Sequence, residues 1–350
     1  MTKTPPGYYL SFDIMADVVF GAHYNLLQDP RFRYVVDCID VSNVRMSFLI
    51  QIPQFAKLKL DKYLFPAAIA ARNRFIKFVT RTVRERLGKI SPTSPSLAPE
   101  NADVFANLAA AKDPETGESF TLNEIAAEST TLIVAGADTS SVAFAAILFY
   151  LADNKSAYER AAAEVRAAFR SREEIAMGAA LASCSYLYAC INEAMRMSPP
   201  VGLALWREVV ADNMVLDGQP VVKGCDVGVP LYTIHHNPRY YEEPFEYRPN
   251  RWLVDDGTGS VDRARAAFNP FSVGTRSCLG KSLATTEMAL TAATVLFMGD
   301  FRFAEGEKGM VGRGRRDGPL GRHRENEYQL FDHVTGQKNG PFLQFSRREV

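Results

Sequence analysis

The chain has 350 residues, 47% of them apolar, with 40 Lys+Arg balanced by 40 Asp+Glu. Such a length and composition describe a folded globular protein with a sizeable core, in one large domain or two small ones, and exclude a disordered chain. A net charge of zero removes the long-range attraction to phosphate on which nucleic-acid binding leans, so no nucleic-acid partner is expected.

In chain order, apolar spacing predicts helices over 10–20, 31–49 and 66–87, the last carrying Phe75, Phe78, Val79, Val83 and Leu87 at near-helical intervals. Between the second and third lies 58–65, with Leu58, Leu60, Tyr63, Leu64 and Phe65. It reads as a substrate-entry cap, as a patch dipping into a membrane, or as core packing. A Pro/Ser-rich stretch at 89–99, with prolines at 92, 95 and 99, is expected to be a surface loop. Thr121 with Glu124 three residues on is a capping box, in which each side chain satisfies an orphan backbone donor of the other. The helix it opens runs to about 152, on the order of 45 to 50 Å at 1.5 Å per residue. Its mostly apolar circumference predicts burial on nearly all sides. The part at 131–152 comes nearest to a membrane span, but Asp138 interrupts it, and a carboxylate in mid-membrane is costly.

Further helices are predicted over 155–169 and 185–197, the second stopped by Ser198, Pro199 and Pro200. From 201 to 229 the pattern changes to short β-prone runs (Val209, Val210; Met214, Val215, Leu216; Val221, Val222) split by Gly and Asp, which suggests small hairpins. His235-His236, followed by Asn237-Pro238, reads as the opening of a helix in a structural loop rather than as a metal pair. A mainly α fold with a small β region results.

Five cysteines, Cys38, Cys184, Cys190, Cys225 and Cys278, are odd in number, widely spaced and without a CxxC pair. Neither a disulfide framework nor a zinc knuckle fits, and a reducing compartment is expected. Residues 1–7 contain no apolar run of signal-peptide type. The densest chemistry is in Phe271-Ser-Val-Gly274-Thr-Arg276-Ser-Cys278-Leu-Gly280, followed at once by a helical pattern over 281–297. Unpaired N–H groups and the positive dipole end of a helix N-terminus favour the thiolate that a metal requires. Gly274 permits a positive-φ turn, and Gly280 leaves no Cβ where a flat cofactor would approach the backbone. Arg276 is positioned to pair with an anionic edge such as a propionate. An inert buried cysteine near a helix cap is the bland reading, and the two glycines, the arginine and Phe271 in one ten-residue frame argue against it.

This Phe-x-x-Gly-x-Arg-x-Cys-x-Gly pattern, with Ala284 beyond it, resembles the haem-binding signature of the cytochrome P-450 superfamily. Three further elements stand in the family's order. Glu193-Ala-Met-Arg196 resembles its Glu-x-x-Arg motif. Taken alone, that pair is more often a solvated helix face worth about 0.3–0.5 kcal/mol. The family pairs it with an arginine of a Pro-x-Arg-aromatic element, here Pro249-Asn250-Arg251-Trp252, which implies a Glu193, Arg196, Arg251 network bracing the loop beneath the haem. Ala135-Gly136-Ala137-Asp138-Thr139-Ser140 resembles the family's distal helix motif; the bland reading is a helix kink made by Gly plus Thr. The resemblance implies that Gly136 gives room for dioxygen, that Thr139 hydrogen-bonds oxygen on the iron, and that Asp138 helps bring protons to it. Arg207 stands where the family's β-strand arginine binds a propionate, on a looser signal of spacing.

The resemblance implies one haem-thiolate oxygenase domain over 1–350 with Cys278 as axial ligand of haem b (iron protoporphyrin IX) and metal ligand. The activity would be a monooxygenase oxidising a small apolar organic substrate with dioxygen and electrons from an NADPH-dependent flavoprotein reductase. The stretches 327–331 and 339–343 look like fungal microsomal members that act on secondary metabolites. Arg263, Arg265 and Lys281 are expected to form a basic docking patch for the reductase. The resemblance begins in the family's middle, so the membrane anchor, first strands and early helices are expected to be absent. The tryptophan that reaches a propionate is also without a counterpart, since the only tryptophans are Trp206 and Trp252. The family resides at the cytosolic face of the endoplasmic reticulum; without the anchor, this chain is expected to be peripheral or cytoplasmic. Three alternatives stay open: a non-catalytic haem-protein remnant, a haem-thiolate isomerase or dehydratase, and a cysteine-nucleophile hydrolase without a His partner.

Overall fold

The computed structural model describes residues 6–89, 103–253 and 257–348. Of the stretch expected to be a Pro/Ser loop, only Lys89 falls among them, as the last residue of a helix. Packing divides the chain into two compact units, residues 1–142 with 333–337, and residues 143–332 with 338–350. The fold is mainly α with small antiparallel sheets.

The first unit holds α1 (Pro6–Phe20), α2 (Tyr34–Gln51), two single turns α3 (Gln54–Lys57) and α4 (Asp61–Leu64), α5 (Pro66–Lys89), α6 (Val104–Ala110) and the start of α7 (Leu122–Asp153). Helices α2 and α5 pack along each other, and α1 lies against α2, α5 and α6. Phe12, Tyr24, Phe32 and Phe78 form an aromatic cluster with ring centroids 5.0 to 6.3 Å apart, tilted or edge-on as ring quadrupoles prefer. Helix α6 starts where the Asp103 carboxylate accepts from the Ala106 N–H at 2.7 Å, and Arg86 pairs with the same carboxylate. The turns α3 and α4 do not join this core: Leu58 is 68% and Tyr63 74% exposed, while Phe55 and Phe65 tuck against Phe48, centroids 5.1 and 5.2 Å apart. The core-packing reading of this stretch is thereby set aside.

The capping box of α7 forms as its sequence predicts, with the Thr121 N–H donating to Glu124 Oε2 at 2.7 Å and the Glu124 N–H to Thr121 Oγ1 at 3.3 Å. Burial along α7 corrects the expectation that it is enclosed on nearly all sides. Its first turns bury only Ile125, Ser129 and Ile133, a single stripe at i, i+4, i+8, while enclosure is near-complete from Val142 to Leu151. Asn123, Glu124, Ala127 and Glu128 are exposed. An average over the whole helix hid this polar-faced beginning.

The second unit contains α8 (Lys155–Ala168), α9 (Ala179–Ser183), α10 (Ser185–Met197), α11 (Leu231–His235), α12 (Ser260–Ala267) and α13 (Lys281–Met298). Helix α10 has no cap of its own; Glu164 of α8 accepts from the Tyr186 and Leu187 N–H groups at 3.0 and 2.9 Å, locking the two helices together. At the other end of α13, Arg166 of α8 donates to the carbonyls of Leu296 and Gly299, so one helix caps two neighbours. The strands are β1 (Arg207–Glu208), β2 (Met214–Leu216), β3 (Gln219–Val221), β4 (Asp226–Val227), β5 (Gly299–Phe303), β6 (Leu330–Phe331), β7 (Gln337–Lys338) and β8 (Leu343–Arg347). Strands β2 and β3 join through Asp217-Gly218, both at positive φ (48° and 75°), the two-residue turn whose twist matches that of the strands. Strand β1 pairs with β4 and β5 with β8. His235 and His236 do not open a helix: they close α11, whose last turn donates from the His236 N–H to the carbonyls of Ile234 and Tyr232. Asn237 acts beyond them, its side chain accepting from the Arg239 N–H at 2.9 Å in a turn.

Candidate active site

The cysteine loop is a closed turn built by backbone rather than by packing. The Cys278 N–H donates to the Phe271 carbonyl at 2.8 Å across the whole signature, and the Ser277 N–H to Gly274 at 3.1 Å. Two residues take positive φ there, Ser272 at 59° and Gly274 at 75°. Gly274 does so without strain because it lacks a Cβ. Helix α13 starts at Lys281 with Gly280 as its cap residue, so Cys278 stands just outside the N-terminus. Its thiol is exposed, and a Cβ built on Gly280 would stand 3.8 Å from the sulfur. Phe271 is half-buried at the base of the loop, and Ala284, one turn into α13, donates its N–H to Gly280 at 2.8 Å.

Arg276 is exposed and has no hydrogen bond or ion pair among the described residues. Arg207 is exposed too and donates only to the carbonyls of Leu205 and Trp206 in its own segment, at 3.3 and 2.9 Å. Neither guanidinium has a carboxylate partner among the described residues. An accessible thiol beside a glycine, with the unpaired Arg276 two residues away, is a donor set that suits a flat cofactor with a metal centre and an anionic edge.

Glu193 and Arg196, one turn apart on α10, are both fully buried and grip each other through two bonds, Arg196 Nε to Glu193 Oε2 at 2.9 Å and Nη2 to Oε1 at 2.8 Å. Arg251 Nε and the Arg248 N–H also donate to Oε1, at 3.0 and 2.9 Å, and Trp252 Nε1 donates to Oε2 at 3.0 Å. Five donors thus converge on one carboxylate. Burial pushes its pKa up, but the charges and hydrogen bonds of Arg196 and Arg251 outweigh that and hold it below the ordinary value, so Glu193 is ionised. Arg196 spends its remaining hydrogens on the carbonyls of His235, Pro244 and Glu246, at 2.8, 2.7 and 3.2 Å. The network therefore fixes the backbone from 235 to 252. Trp252 and the Arg248 backbone were not singled out from sequence; the quoted Pro-x-Arg-aromatic element contains the tryptophan, and its indole N–H was the available signal.

On α7, Asp138 is only 2% exposed, and its Oδ2 accepts from Asn43 Nδ2 at 2.7 Å and from the Thr335 hydroxyl. Tyr8, also buried, has its phenol pushed well up by burial and then by the adjacent Asp138 carboxylate, which keeps the proton on Tyr8. Neutral donors thus surround this acid. Asn43 and Thr335 lie 95 and 197 residues away in sequence, and no local pattern marks either. Thr139 is half-buried, its hydroxyl donating to the Ala135 carbonyl at 2.7 Å. A Cβ on Gly136 would stand 2.3 Å from Met15 Sδ, so the glycine permits the close approach of α1 to α7.

The sequence profile described as Cytochrome P450 matches residues 7–310. The chain is 51% identical over 342 residues to a cytochrome P450 monooxygenase of Gibberella zeae, spanning 98% of this chain and 77% of that one. It is 45% identical over 346 residues to a cytochrome P450 monooxygenase of Alternaria alternata, spanning 97% of this chain and 65% of that one. Among solved structures, the crystal structure of the cytochrome P450DA heme domain aligns at a TM-score of 0.72 and 19% identity, over 98% of this chain and 67% of that one. With the profile across most of its length and fungal relatives above 40% identity, this chain belongs to the cytochrome P450 family.

Proposed function

We propose that the chain is a haem-thiolate monooxygenase that binds iron protoporphyrin IX through Cys278 and oxidises a small apolar organic substrate. The observation that carries this reading is the exposed Cys278 thiol in a backbone-closed loop that also presents an uncompensated Arg276. Bound haem supplies the activation of dioxygen and the oxidising power for a C–H bond. The chain's own residues do the rest. Cys278 gives the sulfur anion, with Gly274 and Gly280 shaping the turn around it. Arg276 and Arg207 pair with the propionates. The Glu193, Arg196, Arg251 network holds the segment 235–252 in one geometry, a positioning role. Asp138, held through Oδ2 by Asn43 and Thr335, would supply the protons that this chemistry consumes, and Thr139, whose hydrogen is directed at Ala135, keeps its lone pairs free to accept a hydrogen bond. The room that Gly136 leaves is taken by Met15, which brings α1 close to this part of α7.

Electrons come from an NADPH-dependent flavoprotein reductase that docks on Arg263, Arg265 and Lys281, all exposed on α12 and at the start of α13. Reversing these three charges is expected to weaken reductase coupling at low salt; coupling that is indifferent to the reversal removes the docking patch. The fungal relatives support a substrate from secondary metabolism. The deciding measurement is the absorption spectrum of the reduced, carbon-monoxide-bound protein. A thiolate-type Soret band is expected in the parent and its loss in Cys278→Ser; a parent that takes up no haem, or a serine variant with the same band, ends the proposal.

A further inference from the structure

The first unit contains a cavity of about 370 Å³ walled by α2, α5 and α7. That volume is in the range of small-molecule sites. Its apolar surface comes from Ile39, Met46, Phe75, Ile76 and Val134, among others. Two arginines line it, Arg45 and Arg72, and no carboxylate does.

The polar groups of the lining differ in how they are used. Ser42 donates to the Cys38 carbonyl at 2.6 Å and Thr130 to the Ala126 carbonyl at 2.7 Å, so both hydroxyls are turned into their own helices. Arg45 is ion-paired with Asp61, which is itself buried, and its charge is cancelled there. Asn43 is committed to Asp138. Arg72 is exposed and, among the described residues, has no anion: its one hydrogen bond is to the side-chain oxygen of the adjacent Asn73, at 3.5 Å. The cavity is thus an apolar pocket whose lining carries one unpaired, solvent-exposed guanidinium, and a guanidinium fork matches the two oxygens of a carboxylate.

From this we infer that the cavity binds an organic acid, an apolar carbon skeleton lying between α2, α5 and α7 with its carboxylate on Arg72. Val134 precedes Asp138 by one turn, and Asn43 both lines the cavity and holds Asp138, so the occupant lies against the amide that fixes the proton-carrying acid. As a statement of substrate class this rests on the monooxygenase reading; as a statement of binding it does not.

Calorimetric titration of the full chain with decanoate and with 1-decanol, at a pH where the acid is ionised, tests it. The parent is expected to prefer decanoate by ~10-fold, the scale of one charge-assisted contact. Arg72→Gln should remove that preference, weakening the acid ~10-fold and the alcohol less than about 2-fold. Filling the chamber from two walls separately, with Ala126→Phe and with Ile76→Trp, should weaken both ligands. Equal affinity for acid and alcohol in the parent, loss of both alike in Arg72→Gln, or undiminished binding in both filled variants overturns the inference. The readout does not need haem. A chain that shows the charge preference but no thiolate spectrum keeps this inference and loses the proposed activity, and the converse result separates them the other way.

Discussion

The cysteine loop and the Glu193 network belong to the same unit and treat their polar groups in opposite ways. Around Cys278 the side chains are exposed, Arg276 is without a partner, and the only firm bonds are between backbone atoms. Around Glu193 the charges are saturated: five donors meet one buried carboxylate, and Arg196 satisfies three distant carbonyls. Groups that must meet a ligand are kept unsatisfied by the protein, whereas groups that hold the frame are saturated by it. The first kind costs little to alter and changes chemistry; the second costs much to alter and changes the fold.

The largest effect should come from Glu193→Gln. The replacement keeps the shape but puts an NH₂ among N–H donors and leaves Arg196 buried without its counter-charge. A loss of about 3–5 kcal/mol in denaturant-unfolding stability is expected, the scale of breaking a buried pair from one side. A loss below about 1 kcal/mol, the value of an exposed pair, would make the network ornamental.

Next in size is a pH effect from two neighbours of the same network. Burial, aided by the charge of Arg196, lowers His235 to about 4 and His236 to about 3 from 6.5. Both rings are therefore neutral in the folded chain while the unfolded chain protonates near its ordinary value. Stability should be fully present above that value and should fall as the pH drops below it towards the folded values. Between pH 7 and 5 the pair should cost about 3 kcal/mol. Unfolding titrations should show this slope and lose most of it in the His235→Gln, His236→Gln double variant; a slope that survives the double variant belongs to other groups.

The same contrast explains what the sequence disclosed. The cysteine signature is ten consecutive residues whose geometry is set by local backbone, so Phe271, Gly274, Arg276, Cys278 and Gly280 could be read in one line. The capping box at Thr121 and Glu124 and the stop at Ser198-Pro199-Pro200 are local in the same sense, and both ends of those helices fall within a residue of their prediction. Contacts that close over long separations were not legible. Asn43 and Thr335 reach Asp138 from elsewhere in the first unit, and Glu164 caps α10 from α8, with no pattern along the chain to announce them. His235 and His236 were misplaced for a related reason: the Asn-Pro that follows looked like a helix start, whereas the Pro230 segment upstream had already begun α11. Averaging over 32 residues likewise hid the single buried stripe at the beginning of α7.

A smaller effect is expected at Gly136, which lies in a motif with a functional reading yet sits hard against Met15. Gly136→Ala should cost about 1–3 kcal/mol, the usual price of overpacking, and Met15→Ala in the same chain should recover most of it. Failure of the double variant to recover would move the reason for this glycine from helix packing to the oxygen side.

Cys278→Ser should have the smallest effect on stability and the largest on chemistry. The side chain is exposed, its backbone bond to Phe271 does not depend on sulfur, and the hydroxyl fits in the space of the thiol. Unfolding of the haem-free chain should shift by less than about 0.5 kcal/mol, as for surface positions outside any network. The haem-loaded form should instead lose the contribution of the ligand, which binding to the native state alone would have added. A large loss in the haem-free chain would mean that the sulfur is part of the frame after all, and the division between saturated and unsatisfied regions would fail at the residue on which it matters most.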